Sequence, residues 1–432
     1  MADVGGLAAP EHARHPPELA RHLNGTRHPH ATASTRRDKS VKALREKPNV
    51  LHVIFDDLRP DLGAWGARWA RTPHLDQLVR SGVSFTQAHA AVANCAPSRA
   101  AFLGGRRPDW SGVHDLRTPP RSRMPDLVTL PERLRQVGYV TAAYGKVFHS
   151  GHEDPQSWSP QADFADNITC RLARFGCFSS HGQAHRGHWR YYQYRRPVGP
   201  APFDHLHERG PATSHGYTDH YIATHAIKAL HILRSQPRPW YLSVGFVRPH
   251  LPFNSPSTFY DRFPPAAVPQ PPRTLRPEAV SQLTARSIGE GYTELHAVRM
   301  RESMMNNSNL DAKGRRLASA YAAAVSFADS EFGRVLDTVR SDPDLAARTL
   351  IVAHGDHGWK LGHLGNWGKH SVQTQDTRTP LIFAGARVPR SRHGAMVHTP
   401  VELIDVYPTI LALARVKHAD ATLDGRCDRT PS

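Results

Sequence analysis

Two short apolar runs, far apart in the chain, both end on acidic residues, and this pairing constrains the fold more than any other feature. Asn49-Val50-Leu51-His52-Val53-Ile54-Phe55 leads straight into Asp56-Asp57, and Ile351-Val352-Ala353 leads into His354-Gly355-Asp356-His357-Gly358. Apolar runs of this length with β-branched residues read as buried strands. An isolated Asp-Asp pair is most often a solvated loop. In a parallel sheet, however, adjacent strands present their carboxyl ends on one edge, where ligand sites of α/β folds lie. Three carboxylates gathered there repel one another and are costly to desolvate unless a cation sits among them. A hard ion such as Ca²⁺ or Mg²⁺ suits such oxygen ligands.

The intervening sequence alternates helix and strand patterns, as a mostly parallel sheet covered by helices on both faces requires. Thr72 followed by Pro73 reads as a capped helix start, with the helix ending near Gly82, and Val83–Thr86 reads as a strand. A helix is expected after Pro97, another over Leu130–Gln136, and a strand over Tyr139–Tyr144. Helix His220–Leu233 should feed strand Trp240–Val247, and helix Ala318–Val339 should feed strand Thr349–Ala353. A last helix is expected over Pro408–Ala414. Residues 155–215 and 252–300 break the pattern and read as surface excursions around a site.

Residues 1–48 lack Phe, Trp and Tyr and are rich in Ala, His, Arg and Pro. They are expected to be a disordered basic leader, followed by one catalytic domain over 49–415 and a short tail over 416–432. No basic stub followed by an apolar stretch marks a signal peptide, so the compartment is undetermined. No apolar run approaches the roughly 18 residues needed to span a bilayer. Four Cys are too few for a disulfide scaffold, although Cys170 and Cys177 could close a small loop. With 55 Lys and Arg against 38 Asp and Glu, the formal charge is +17. That excess favours a polyanionic partner, though arginine-rich codon usage produces the same balance.

Cys95-Ala96-Pro97-Ser98-Arg99, followed by Gly104-Gly105-Arg106, resembles the signature of the sulfatase family, whose Cys is oxidised to formylglycine after translation. Gly138-Tyr139-Val140-Thr141-Ala142-Ala143-Tyr144-Gly145-Lys146 is similar to the second signature. Asp56-Asp57 and Asp356-His357 match the metal-binding positions in order. Phe55–Pro60, Gly145–His149, Arg248–Phe253 and Asp356–Trp359 are most similar to the iduronate-2-sulfatase branch and its bacterial relatives.

The resemblance implies an alkaline-phosphatase-like fold and a sulfuric ester hydrolase acting on a sulfated glycan or sugar. It implies one Ca²⁺ held by Asp56, Asp57, Asp356, His357 and the converted Cys95. Cys95 would be the nucleophile precursor, and Arg99 would hold the hydrated aldehyde. Lys146 and Lys369 would clamp the sulfate oxygens. His149 would act as base and His250 as acid toward the leaving alcohol, tasks that imidazole suits. Trp359 could stack on a sugar ring.

A formylglycine-generating enzyme would be the maturation partner, and no nucleic acid is expected. Family members are usually secretory, lysosomal or periplasmic. The chain departs from the family pattern at Gly104, usually Thr, at His363-Leu364, usually Glu-His, and at His370, often Tyr. The family also generally continues into a smaller C-terminal subdomain, so a truncated one is expected here. Two alternatives remain: a phosphonate monoester or phosphodiester hydrolase of the same superfamily, or a pseudosulfatase that binds sulfated glycans without turnover.

Overall fold

The protein is built on an eight-stranded sheet in which a single strand runs against the rest. The computed structural model describes residues 47–160, 207–210, 212–269, 310–363, 367–417 and 423–427, all within one compact unit spanning Ala43–Ser432. Short helices aside, the elements in chain order are β1 (Asn49–Phe55), α1 (Pro73–Arg80), β2 (Gly82–His89), α2 (Cys95–Gly104), α3 (Leu130–Gln136) and β3 (Val140–Gly145). There follow β4 (His207–Gly210), α4 (Thr218–Leu233), β5 (Trp240–Phe246), β6 (Phe253–Pro256), α5 (Leu310–Arg340) and β7 (Thr349–Gly355). The chain continues through β8 (Lys360–Leu361), β9 (Trp367–Gly368), β10 (Arg378–Gly385), β11 (Ala395–Val397), β12 (Val401–Glu402) and α6 (Val406–Leu413). The sheet order is β11-β2-β10-β7-β1-β5-β3, with β12 beside β2. β4 pairs with β6, and β8 with β9, in two small separate sheets.

β1 shows how the sequence sets the layers. All seven of its residues are buried because helices cover both faces. Leu51, Val53 and Phe55 pack with α1, α4 and α5 in one core. Val50 and Ile54 face the other side and pack with α2, α3 and α6. That alternation is the two-residue period of a strand. The long α5 buries Leu317, Tyr321, Phe332, Val335 and Leu336 in that core, with the small Ala320, Ala324 and Ala328 between them. Alanine is also the best helix former. No helix among the described residues is long and apolar enough to cross a membrane.

The expected strands and helices are present, with three differences. β10 was not anticipated from the sequence; Pro380 interrupts its pattern, and its pairing with β2 shifts register between Thr379 and Leu381. Thr72 does not cap α1 through its side chain. Instead Asp329 of α5 accepts the His74 and Leu75 amides at 3.1 and 2.8 Å. The helix expected after Pro97 begins at Cys95, so the cysteine itself opens α2. Most of the leader, the Cys170–Cys177 pair and much of both excursions lie outside the described residues.

Candidate active site

Every residue nominated for catalysis or metal binding is carried to one edge of the sheet by this topology. β1 ends before Asp56 and Asp57, β7 before Asp356 and His357, β3 before Lys146, and β5 shortly before His250. The strand ends are in register: the Asp56 amide donates to Phe246 O (3.2 Å), the Asp356 amide to Phe55 O (3.0 Å), and the Lys146 amide to Gly245 O (2.8 Å). At the last of these, β3 and β5 come so close that a Cβ on Gly145 would strike the Gly245 carbonyl, and Gly145 has φ +78°. Because β10 is antiparallel, its preceding loop starts on this same edge and delivers Lys369.

The side chains form one buried charge network. Arg99 Nε donates to Asp356 Oδ2 at 2.9 Å and Nη2 to Asp56 Oδ1 at 3.2 Å. The same guanidinium donates to the carbonyls of Lys146 and Val147, so it pins the end of β3 to the ends of β1 and β7. Lys146 Nζ donates to Asp56 Oδ2. Lys369 Nζ reaches Asp57 Oδ1 at 2.7 Å and Cys95 Sγ at 3.0 Å. Cys95 Sγ lies 3.4 Å from Asp56 Oδ1. Asp57 adopts φ +64°, a conformation that aspartate tolerates better than most residues. It is held there by its amide, which donates to Asp356 Oδ1 (3.0 Å), and by the Tyr321 hydroxyl, which donates to its carbonyl (2.7 Å).

Charge follows from these contacts. Burial alone would raise the Asp56 pKa, but Lys146, His250, Arg99 and Lys369 outweigh it and hold the carboxyl well below its usual range. Burial, with Asp56 beside it, pushes the Cys95 thiol up, and Lys146 and Lys369 offset only part of this. Burial, then the neighbouring Lys146 and His152, drives His149 down to about 2, so its imidazole is neutral throughout the working range.

The donor set fits a hard divalent cation. Ligand atoms of Asp56, Cys95, Asp356 and His357 lie within 4.8 Å of one another, as do those of Asp57, Cys95 and His250. His357 Nδ1 pairs with the Gly358 carbonyl at 3.0 Å. Its Nε2, buried and without a hydrogen-bond partner, points to Asp57 Oδ1 and Asp356 Oδ1 at 3.5 and 3.6 Å. Three carboxylates and one imidazole nitrogen converging in this way match an oxygen-rich site.

Trp359 is not a sugar platform. It is 2% exposed, covered by Lys369 Nζ 5.6 Å from its ring centroid and by the edge of Phe253. Gly104 ends α2, and a Cβ there would press on Leu127 at 3.2 Å, so glycine suits this packing.

Supporting residues escaped the sequence reading. Ser98 Oγ donates to the Asp356 carbonyl at 2.5 Å. Asp219, in the first turn of α4, accepts the Val247 and Arg248 amides at 2.7 and 2.9 Å. Arg248 Nη1 in turn donates to the His250 carbonyl at 3.0 Å, so α4 sets the loop that carries His250. Lys360 pairs with Asp376 and braces the loop carrying Lys369. Each of these is ordinary in sequence and acquires its role from a distant partner.

Comparison with known proteins agrees with this arrangement. The family model described as Sulfatase matches residues 48–416. The chain is 29% identical over 384 residues to a sulfatase of Formosa agariphila, covering 87% of this chain and 71% of that protein. It is 30% identical over 406 residues to the iduronate 2-sulfatase of Mus musculus, covering 85% and 68%. Among solved structures, an enzyme in complex with its substrate D-glucosamine-2-N,6-O-disulfate superposes with TM-score 0.64 at 19% identity, covering 88% of this chain and 79% of the other. The phosphonate monoester hydrolase of Silicibacter pomeroyi superposes with TM-score 0.64 at 22% identity, covering 88% and 75%. Both share the fold.

Proposed function

This chain belongs to the sulfatase family, and from that premise we propose that it hydrolyses sulfate esters of sugars, with an iduronate-type sulfated uronic acid as the substrate class. The observation that carries the reading is the seat of Cys95. It opens α2 with Sγ between Asp56 Oδ1 at 3.4 Å and Lys369 Nζ at 3.0 Å. The roughly 30% identity to the mouse iduronate 2-sulfatase supports the substrate class.

Formylglycine at position 95 supplies, when formed and hydrated, a hydroxyl that attacks sulfur and a second that releases sulfate. A Ca²⁺ held by Asp56, Asp57, Asp356 and His357 supplies positive charge to the anionic ester. The rest falls to this chain's own side chains. Lys146 and Lys369 take sulfate oxygens and stabilise the charge that shifts during transfer. Arg99 holds Asp56 and Asp356 at fixed separation and orients the nucleophile. His250 donates a proton to the departing alcohol, and neutral His149 accepts one from the residue at 95.

The test has two measurements. Protein made with the formylglycine-generating enzyme should carry an aldehyde in the peptide spanning residue 95, seen by mass and by an amine-reactive probe. It should turn over sulfated monosaccharides and aryl sulfates faster than the matching phosphonate monoesters. Faster phosphonate turnover would place the chain with the phosphonate hydrolases. An unmodified thiol with glycan binding and no turnover would make it a pseudosulfatase.

A further inference from the structure

The opposite, amino-terminal edge of the sheet carries a row of basic residues that the catalytic reading does not use. Five neighbouring strands, β2, β10, β7, β1 and β5, each bring at least one. Arg80 stands two residues before β2, Lys47 two before β1, Arg238 two before β5, and Arg348 immediately before β7. β10, running the other way, ends here and is followed by Arg387, Arg390 and Arg392.

Backbone contacts show that these positions form one edge. The Gly394 amide donates to Gly82 O (2.8 Å), the Ala386 amide to Thr349 O (2.9 Å), and the Val140 amide to Pro239 O (2.9 Å). Lys47 Nζ stands 6.0 Å from the Tyr139 ring centroid, and the Tyr139 hydroxyl donates to Pro48 O at 3.0 Å. Five neighbouring strands at the usual spacing make this row about 19 Å long.

Arg80, Arg348, Arg390 and Arg392 are exposed, and Lys47, Arg238 and Arg387 are partly exposed. Among the described residues Arg348, Arg390 and Arg392 have no ion-pair partner. Many arginines elsewhere are neutralised locally, as Arg107 is by Glu402, Arg121 by Glu132 and Asp154, and Arg209 by Asp261. Among the described residues, Asp342 and Asp344 flank and open the short helix Pro343–Arg348, which ends in this row. Asp342 is already engaged by the amides of Asp344 and Leu345.

The geometry points to a polyanion-binding surface on this edge, which holds a sulfated glycan chain away from the catalytic mouth. A linear row of exposed guanidiniums suits a regularly charged polymer, because counterion release rewards several simultaneous contacts. The Gly385–Gly394 segment contains no Phe, Tyr or Trp, so it lacks the large aromatic platforms on which single-stranded nucleic acid stacks. The choice of a sulfated glycan over another polyanion rests on the proposed sulfatase function; the surface itself does not.

The experiment uses the full chain and heparin as the probe. The triple variant Arg348→Ala, Arg390→Ala, Arg392→Ala should elute from immobilised heparin at clearly lower salt. Its slope of log affinity against log salt should be shallower by about two to three. Turnover of a small aryl sulfate should stay within twofold of the parent. A control variant, Arg68→Ala, Arg123→Ala, Arg426→Ala, removes equal charge elsewhere and should elute near the parent. Equal losses in the two variants, or unchanged heparin binding in the first, would overturn the surface. Duplex DNA competing as well as heparin at equal charge would overturn the glycan assignment. Because aryl sulfate turnover is read separately, a failed sulfatase reading would show there and not in the heparin slope.

Discussion

Buried carboxylates occur in two settings in this molecule, and they behave in opposite ways. Asp56, at the edge that carries the candidate site, is fully buried beside Lys146, His250, Arg99 and Lys369, and its carboxyl is held well below the usual range. Asp219 and Asp329, in the helical scaffold, are almost as deeply buried. Burial drives them up, to about 6 and about 7, although Asp219 has the Arg248 guanidinium beside it and each accepts two backbone amides. Amide hydrogen bonds, even with one neighbouring cation, do not keep a buried carboxylate charged here, whereas the cluster of Lys146, His250, Arg99 and Lys369 does. The candidate-site edge maintains its charge by packing opposite charges at fixed positions, and the scaffold tolerates carboxyl groups that take up protons.

The strongest way to break this contrast is to remove a cation from the first setting. Arg99→Met strands Asp56 and Asp356, both 0% exposed, and should cost about 3–5 kcal/mol of stability in denaturant unfolding together with all measurable turnover. Adding Asp356→Asn should recover part of the stability and none of the turnover. A double variant no more stable than the single one would mean that lost packing, not stranded charge, explains the defect.

A smaller effect is expected one step away from the network. His250→Ala should slow hydrolysis of sugar sulfates, which are poor leaving groups, by about 10²–10⁴-fold while sparing activated aryl sulfates. Asp219→Asn loosens the amides of Val247 and Arg248 and should reproduce the same substrate selectivity at roughly tenfold. Equal losses on both substrate types would remove His250 as the acid and Asp219 as its support.

The smallest expected effect concerns the scaffold alone. The Asp329 pKa is raised on folding, from 3.8 to about 7, so the folded state binds the extra proton. Its contribution to stability is complete below pH 3.8 and is lost as pH rises through about 7. Asp329→Asn should therefore gain thermal stability relative to the parent on going from pH 4 to pH 8, without altering turnover. Parallel melting curves across that interval would show that the two settings titrate alike.

Much of the candidate site was legible because its ionisable residues are adjacent to strand ends. The run Asn49–Phe55 and the run ending at Ala353 announce themselves by apolar β-branched composition, and the acids that follow are next in the chain. Cys95 and Arg99 sit four apart, and the cysteine signature with its three companion motifs implied the family that the Sulfatase model then matched over residues 48–416. Local pattern and covalent order were sufficient for these, since neither depends on a distant partner.

Other features were decided only when the chain closed on itself. β10 turns Lys369 toward Cys95 because it runs antiparallel, and its local pattern, broken at Pro380, carries no sign of direction. Asp329 caps α1 in place of Thr72 because α5, 254 residues further along, packs against Leu75. Trp359 looked like a ring for stacking on sugar, but Lys369 and Phe253 cover it. The arginines of the amino-terminal edge are scattered in sequence and form a row only because hydrogen-bonded strands set their starts side by side. The sequence determines which groups can ionise and where strands end; long-range packing sets the neighbours that fix each group's charge and exposure.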